Sequence, residues 1–174
     1  MIYLGIDNGV SGSIGVVEHD GLGAYYHMPI RKELSYTKKK QWISRIDTVA
    51  LKLILSSIIK KDEDSNTGGV YVSLERPMVN PGRFQATASA LRAIEATLIV
   101  IEDLKIRYRY VDSKEWQKDL LPKGLKKEEL KIASLQIGKR LFPFIAFDVL
   151  KFKDADGLLI AEHQRRMDVK GESK

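Results

Sequence analysis

The sequence contains no cysteine, which excludes a disulfide framework, a cysteine nucleophile and any thiolate metal site. Its three histidines, His19, His27 and His163, are scattered. No Ser-His-Asp arrangement and no Walker-type phosphate loop is present. Internal repeats and low-complexity tracts are also missing. No apolar run approaches the length of a bilayer. The longest apolar-rich stretch, residues 88–104, is interrupted by Arg92, Glu95, Glu102 and Asp103. The first residues lack a basic leader, and Asp7 breaks their short apolar run, so neither a signal peptide nor a membrane partner is expected. The lack of cysteine fits a cytoplasmic location.

What is present suits one ordinary domain: 174 residues, 44% of them hydrophobic, enough for a proper core. The formal net charge is +6, and the pI is about 9.4. A basic balance favours polyanionic partners through long-range attraction and counterion release. Basic residues crowd into 31–45 and 114–140, whereas several acids stand in apolar settings. A site that attracts phosphate while holding metal needs that asymmetry.

Hydrophobic periodicity predicts strands at 2–6, 13–18 and 23–28, joined by gaps short enough for an antiparallel meander. Residues 36–45 read as a polar loop or helix start, and 46 to about 59 as a helix. Residues 60–69 read as a charged, mobile loop. A short β-rich run at 70–74 follows, then a helix at 84–103 and a strand at 106–111. Asp112 or Ser113 is the expected cap of the helix around Trp116. A helix at 126–141 is stopped by Phe142-Pro143, and 154 to about 167 forms the last. The order predicts an α/β protein with a mixed five-stranded sheet and helices on both faces. Residues 1–167 are expected to form one domain, and 168–174 a disordered tail.

Four acids are placed for chemistry. Asp7 ends the first strand, where it either faces a crevice at the sheet edge or forms a turn before Gly9. Glu75 closes a buried strand, an uncommon place for a carboxylate because unpaired burial is costly; pairing with Arg76 is the alternative. Pro77, Pro81 and Gly82 make the loop after it rigid. Asp154 and Asp156 open the last helix, where Asp154 also reads as an N-cap. Strand-end acids and helix-start acids can converge on hard divalent cations such as Mg²⁺, with Mn²⁺ as a substitute. Two such ions, about 4 Å apart, suit phosphodiester cleavage. His19 and His27 read as surface residues. His163 lies seven residues after Asp156, on roughly the same helix face, and is a candidate for a supporting role.

The opening MIYLGIDNGVSGS resembles the first motif of RuvC-type Holliday-junction resolvases, particularly the phage-encoded branch. Val72-Ser73-Leu74-Glu75-Arg76-Pro77 is similar to the second acidic motif, residues 111–116 to the segment before the third helix, and residues 154–162 to the closing acidic helix. The resemblance spans residues 2 to about 166, and order and spacing supply its specificity. It implies the ribonuclease-H-like fold, with Asp7, Glu75 and Asp156 as catalytic metal ligands. The family's fourth ligand falls three residues before the last, where this chain has Lys153; Asp154 is the substitute candidate. A homodimer that nicks four-way DNA junctions symmetrically is implied, in a host-cell cytoplasm if the chain is phage-encoded.

For DNA contacts, the resemblance points to an apolar residue on the loop after the second acid. Met78 and Phe84 are the candidates, with Arg83 beside them, although Phe84 could equally be core. Lys123, Lys126, Lys127 and Lys131 lie where the family presents important basic residues, and Lys126 or Lys127 is favoured. Lys38, Lys39 and Lys40 form a second DNA-contact candidate. Three other readings share some of these features. An actin-like ATPase has a similar opening hairpin but needs a second domain and a second phosphate hairpin. A ribonuclease-H-like enzyme for hybrids or flaps would use the same acids. A non-catalytic DNA-binding scaffold would leave them structural.

Overall fold

The computed structural model describes residues 1–171, apart from the side chain of Lys127. Strands β1 (Ile2–Asp7), β2 (Ser13–Glu18) and β3 (Gly23–His27) form the antiparallel meander. Strands β6 (Val70–Glu75) and β7 (Arg107–Val111) add to β1 in parallel, giving the order β3-β2-β1-β6-β7. Helices α1 (Thr48–Ser65) and α2 (Phe84–Asp103) cover one face of this sheet. Helices α3 (Ser113–Leu120), α4 (Lys127–Leu141) and α5 (Asp156–Val169) cover the other. The expected fold class, a mixed five-stranded sheet between two helical layers, is observed.

Strand alternation decides what each face contains. Ile2, Leu4 and Ile6 of β1, Ile14 and Val16 of β2, and Val72 and Leu74 of β6 point into the α1–α2 core. The alternate positions face α5. On β1 these are Tyr3, Gly5 and Asp7; on β2 Ser13, Gly15 and Val17; on β6 Ser73 and Glu75. Tyr3 and Val17 join the second core there, and the remaining positions are small or polar. Thus one alternation gives the sheet a greasy side and a side on which a helix can lie close.

That helix is α5, and it lies on backbone. A methyl group at Gly5 would come within 2.1 Å of the Gly157 carbonyl oxygen and 2.4 Å of the Ala161 nitrogen. One at Gly15 would meet Gly157 C and Leu158 N, both at 2.3 Å. These neighbours are main-chain atoms and cannot swing aside. Ser13 pins the helix start, its Oγ accepting from Gly157 N at 3.2 Å and from the Tyr25 hydroxyl at 2.8 Å.

The structure departs from sequence expectation in five places. Residues 30–46, read in part as a loop or helix start, form a separate hairpin of β4 (Ile30–Leu34) and β5 (Trp42–Ile46). Its polar residues hid the strand pattern. Helix α1 runs on to Ser65, into the stretch expected to be mobile. There the Asp62 carboxylate accepts from the Thr67 hydroxyl and, at 2.9 Å, from Gly69 N–H, while Asn66 caps the helix in the left-handed region. Helix α5 begins at Asp156, so Asp154 precedes it and does not cap it. Its end at Val169, with Tyr3 donating to Asp168 at 2.9 Å, orders part of the expected tail; residues 172–174 lie outside the described residues. Finally, residues 81–103 are long and apolar enough to cross a bilayer by length and composition, contrary to the expectation that no run was. Here Ala93, Ile94, Val100 and Ile101 of that segment are buried in the core.

The backbone contact yields a stability prediction. Gly5→Ala should lower the unfolding free energy at the upper end of the roughly 1–3 kcal/mol usual for overpacking. Ala at Gly21 is the contrast: φ of 88° strains it, but no atom lies nearby. Urea denaturation of both variants checks this, and a Gly5→Ala protein as stable as wild type would contradict the close packing.

Candidate metal centre

Because Asp7 and Glu75 sit on the α5 side of adjacent parallel strands, their carboxyls come together at the strand ends, close enough for each to perturb the other's ionisation. The close approach of α5 brings Asp154 and Asp156 to the same place. Asp7, Asp154 and Asp156 each offer an oxygen, and these oxygens all lie within 4.8 Å of one another. Glu75 completes the group through Asp7 and is held by the Trp116 indole N–H at 3.2 Å. Asp7 is therefore not the self-bonded turn residue, and Glu75 is not paired with Arg76, whose guanidinium bonds Asp112 instead at 3.1 Å.

Helix α4 supplies the opposite wall. Lys131 Nζ donates to Asp154 Oδ2 at 3.1 Å. Three residues on, on the same helix face, the Ser134 hydroxyl donates to Asp156 and accepts from Ala155 N–H at 3.1 Å. The irregular backbone before α5 is what lets residues 154 and 156 converge, since two positions apart on a regular helix they would diverge.

Like charges this close and this buried resist ionisation. Burial, then the Glu75 and Asp154 charges, pushes the Asp7 carboxyl well above its ordinary value. Burial raises Glu75 in the same direction against its hydrogen bonds. Burial and the Asp154 charge raise Asp156 to about 7. Partial burial draws the Lys131 ammonium down, but its hydrogen bond to Asp154 and the surrounding carboxylates outweigh that and raise it.

The donor set is all oxygen, which suits Mg²⁺, Mn²⁺ or Ca²⁺ over softer ions. The buried acidic cluster thus fits a divalent metal.

The sequence-predicted DNA residues divide. Met78 and Phe84 are 79% and 73% exposed, so Phe84 is not core; Arg83 is exposed beside it. Lys123 and Lys126 are exposed near the start of α4, and the Lys127 side chain lies outside the described residues. Of the basic run, it is Lys131 that reaches the acids. Lys38, Lys39 and Lys40 sit exposed in the turn between β4 and β5. His163 is buried against α3, 3.1 Å from Asp119 and 3.6 Å from Glu115, and has no contact with the acids. His19 and His27 are exposed as expected. Sequence reading missed Trp116 and Ser134 as supports of Glu75 and Asp156. The i, i+3 spacing of Lys131 and Ser134 was the available signal for α4.

The chain is thus an α/β protein with a ribonuclease-H-like fold and an acidic cluster at the strand ends. Two solved structures of RuvC from Thermus thermophilus align with this chain. RuvC in complex with a Holliday junction substrate aligns over 100% of this chain and 98% of its own, at 15% identity and a TM-score of 0.57. A second RuvC structure aligns over 100% and 99%, at 14% identity and a TM-score of 0.45. No family model and no curated protein matches the sequence. The likeness is one of fold.

The raised carboxyls predict a pH effect with a definite sign. A carboxyl whose folded pKa is raised favours the folded state while protonated. For Asp156 that contribution is fully present below 3.8 and lost as pH rises through about 7; Asp7 and Glu75 act in the same direction. In EDTA, Asp156→Asn should therefore melt higher than wild type at about pH 8, with the gap closing toward about pH 5. Added Mg²⁺ should raise the wild-type Tm more at the higher pH. A metal-free Asp156→Asn variant less stable than wild type at about pH 8 would show that the carboxylates do not repel.

Proposed function

We propose that this chain is a divalent-metal-dependent endonuclease that resolves four-way DNA junctions by paired, symmetric phosphodiester hydrolysis, as a homodimer in the cytoplasm. The observation that carries the reading is the convergence of Asp7, Asp154 and Asp156 within 4.8 Å, in a fold shared with a junction-bound RuvC.

Asp7, Glu75, Asp154 and Asp156 would hold the cations. When bound, Mg²⁺ supplies charge stabilisation at the phosphate oxygens and raises the acidity of the attacking water. The chain's own groups do the positioning. Trp116 fixes the Glu75 carboxylate and Ser134 that of Asp156, so the ligand oxygens are set before substrate arrives. Lys131, already at the rim against Asp154, adds positive charge where negative charge builds on the scissile phosphate. Met78 and Phe84, exposed on the loop and helix start that follow Glu75, supply apolar surfaces that can enter an opened junction.

A two-fold enzyme suits a two-fold substrate. The outer faces of α1 and α2 support a partner copy: Val49, Leu53 and Ile99 are 67%, 68% and 62% exposed around a groove of about 390 Å³. Monomeric proteins rarely leave such patches bare. Leu53→Asp should turn a dimer into a monomer by light scattering without changing metal binding; a dimer that survives it places the interface elsewhere.

The activity test uses a mobile four-way junction, matched linear duplex, a flap and an RNA–DNA hybrid, each with Mg²⁺ or EDTA. Symmetric nicks in the junction alone, abolished by EDTA and reduced at least about a hundredfold by Asp7→Asn, are the expected result. Preferential cutting of flap or hybrid would keep the acids and remove the junction assignment. No metal-dependent cleavage by folded protein would favour a DNA-binding scaffold.

A further inference from the structure

The β4–β5 hairpin holds almost the whole positive excess of the chain. Residues 30–46 contain Arg31, Lys32, Lys38, Lys39, Lys40 and Arg45 against one acid, Glu33. That is +5 of a total of +6. Glu33 is engaged at the base by Arg45 at 2.6 Å and Arg31 at 3.5 Å. Among the described residues no acid pairs with Lys32 or the three lysines of the turn. The turn is nonetheless shaped. Ser35 and Thr37 hydroxyls donate to Lys39 O at 3.1 and 2.9 Å, and Ser35 N–H donates to Gln41 O at 2.8 Å.

Beside these lysines stand two exposed aromatic side chains and an exposed leucine. Leu34 and Trp42 are cross-strand partners, 49% and 70% exposed, and Tyr36 is 78% exposed. Strand alternation puts Lys32 on the face that carries Leu34 and Trp42. Exposed aromatic rings interleaved with unpaired lysines are the composition of a single-stranded nucleic-acid surface. Phosphates neutralise the ammonium groups while an unstacked base covers the ring. Paired bases offer the grooves only their edges, and no face on which an indole could stack.

The hairpin leaves the sheet from the same end as Asp7. Asp7, Ser13 and His27 lie in one row across β1, β2 and β3. From that row the chain passes into β4 within three residues, with Met28 N–H bonded to Gly12 O at 3.0 Å. The hairpin then packs on the first half of α2. Arg92 Nη1 lies 3.4 Å from the Tyr36 hydroxyl, while the Ala90 carbonyl of the same helix accepts from Asn8, beside Asp7, at 3.4 Å.

We infer that the hairpin is an arm that grips an unpaired DNA strand, Trp42 stacking on a base and Lys38, Lys39 and Lys40 contacting its phosphates. The choice of DNA as the polymer rests on the proposed function, in which the strand belongs to an opened branch point.

The chain has two tryptophans, and Trp116 is 1% exposed, so fluorescence quenching by a ligand reports Trp42. The full-length protein, in EDTA so that nothing is cleaved, is titrated with oligo-dT and with a duplex of equal length. Oligo-dT should quench strongly and the duplex weakly, and Trp42→Phe should remove most of the quench. Trp42→Ala should weaken oligo-dT binding about 5- to 150-fold. Replacing Lys38, Lys39 and Lys40 together by Ala should reduce the slope of log affinity against log salt by about two. Equal quenching by duplex and single strand, or unchanged affinity in both variants at unchanged Tm, would overturn the arm. The two readings fail separately. Junction cleavage by a chain whose hairpin variants bind oligo-dT as wild type does removes only the arm. Hairpin-dependent strand binding by a chain that cleaves nothing removes only the nuclease.

Discussion

Everything at the site depends on how near α5 can come to the sheet. Helices usually ride on a layer of side chains that separates them from the strands they cover. Here Gly5, Gly15 and Gly157 remove that layer, and backbone rests on backbone. The start of α5 is thereby level with the ends of β1 and β6, where Asp7 and Glu75 emerge. With a leucine at position 5 the helix would be displaced outward, and Asp154 and Asp156 would move away from Asp7. The three glycines and the Ser13–Tyr25 network thus shape the acidic cluster as much as the acids do.

This closeness opposes folding. Buried carboxyls are held together against their mutual repulsion, with Lys131 the cation that bonds directly to one of them. Partial protonation relieves the repulsion in the metal-free protein; divalent cations would relieve it without surrendering the charge needed for ligation. The rest of the molecule compensates. Two cores flank the sheet, and Leu4, Ile6, Leu74, Leu158 and Ile160 are fully buried around the strand ends and α5. A stable scaffold that forces ionisable groups into an unfavourable arrangement is characteristic of functional sites.

How much could be read in advance follows from how local each signal is. The runs around Leu4, Val16 and Val72 are apolar and β-branched, so the meander and the parallel strands were legible, as was the helix from Phe84 to Asp103. The acids were legible for the same reason: each interrupts an apolar element at its end. The β4–β5 hairpin was not, because Arg31, Lys32 and the lysine turn face water and leave no alternating apolar pattern. The continuation of α1 past Ile59 depends on Asp62 bonding Thr67 and Gly69, a contact that composition does not announce. The contact of Lys131 with Asp154 was not legible, for a geometric reason. Which turn of α4 faces the acids depends on the rotation of that helix against α5, and no short stretch of sequence encodes it. The family resemblance left a gap at Lys153, and the irregular segment before α5 brings Asp154 beside Asp7 and Asp156.

If the backbone contact of α5 assembles Asp7, Asp154 and Asp156 into one cation site, crystals soaked in Mn²⁺ should reveal it when data are collected at a wavelength where manganese scatters anomalously. Anomalous density is expected among those three carboxylates, absent from Asp7→Asn crystals grown and soaked in the same way. Well-ordered crystals with no density there, or with manganese only at surface acids elsewhere, would contradict it.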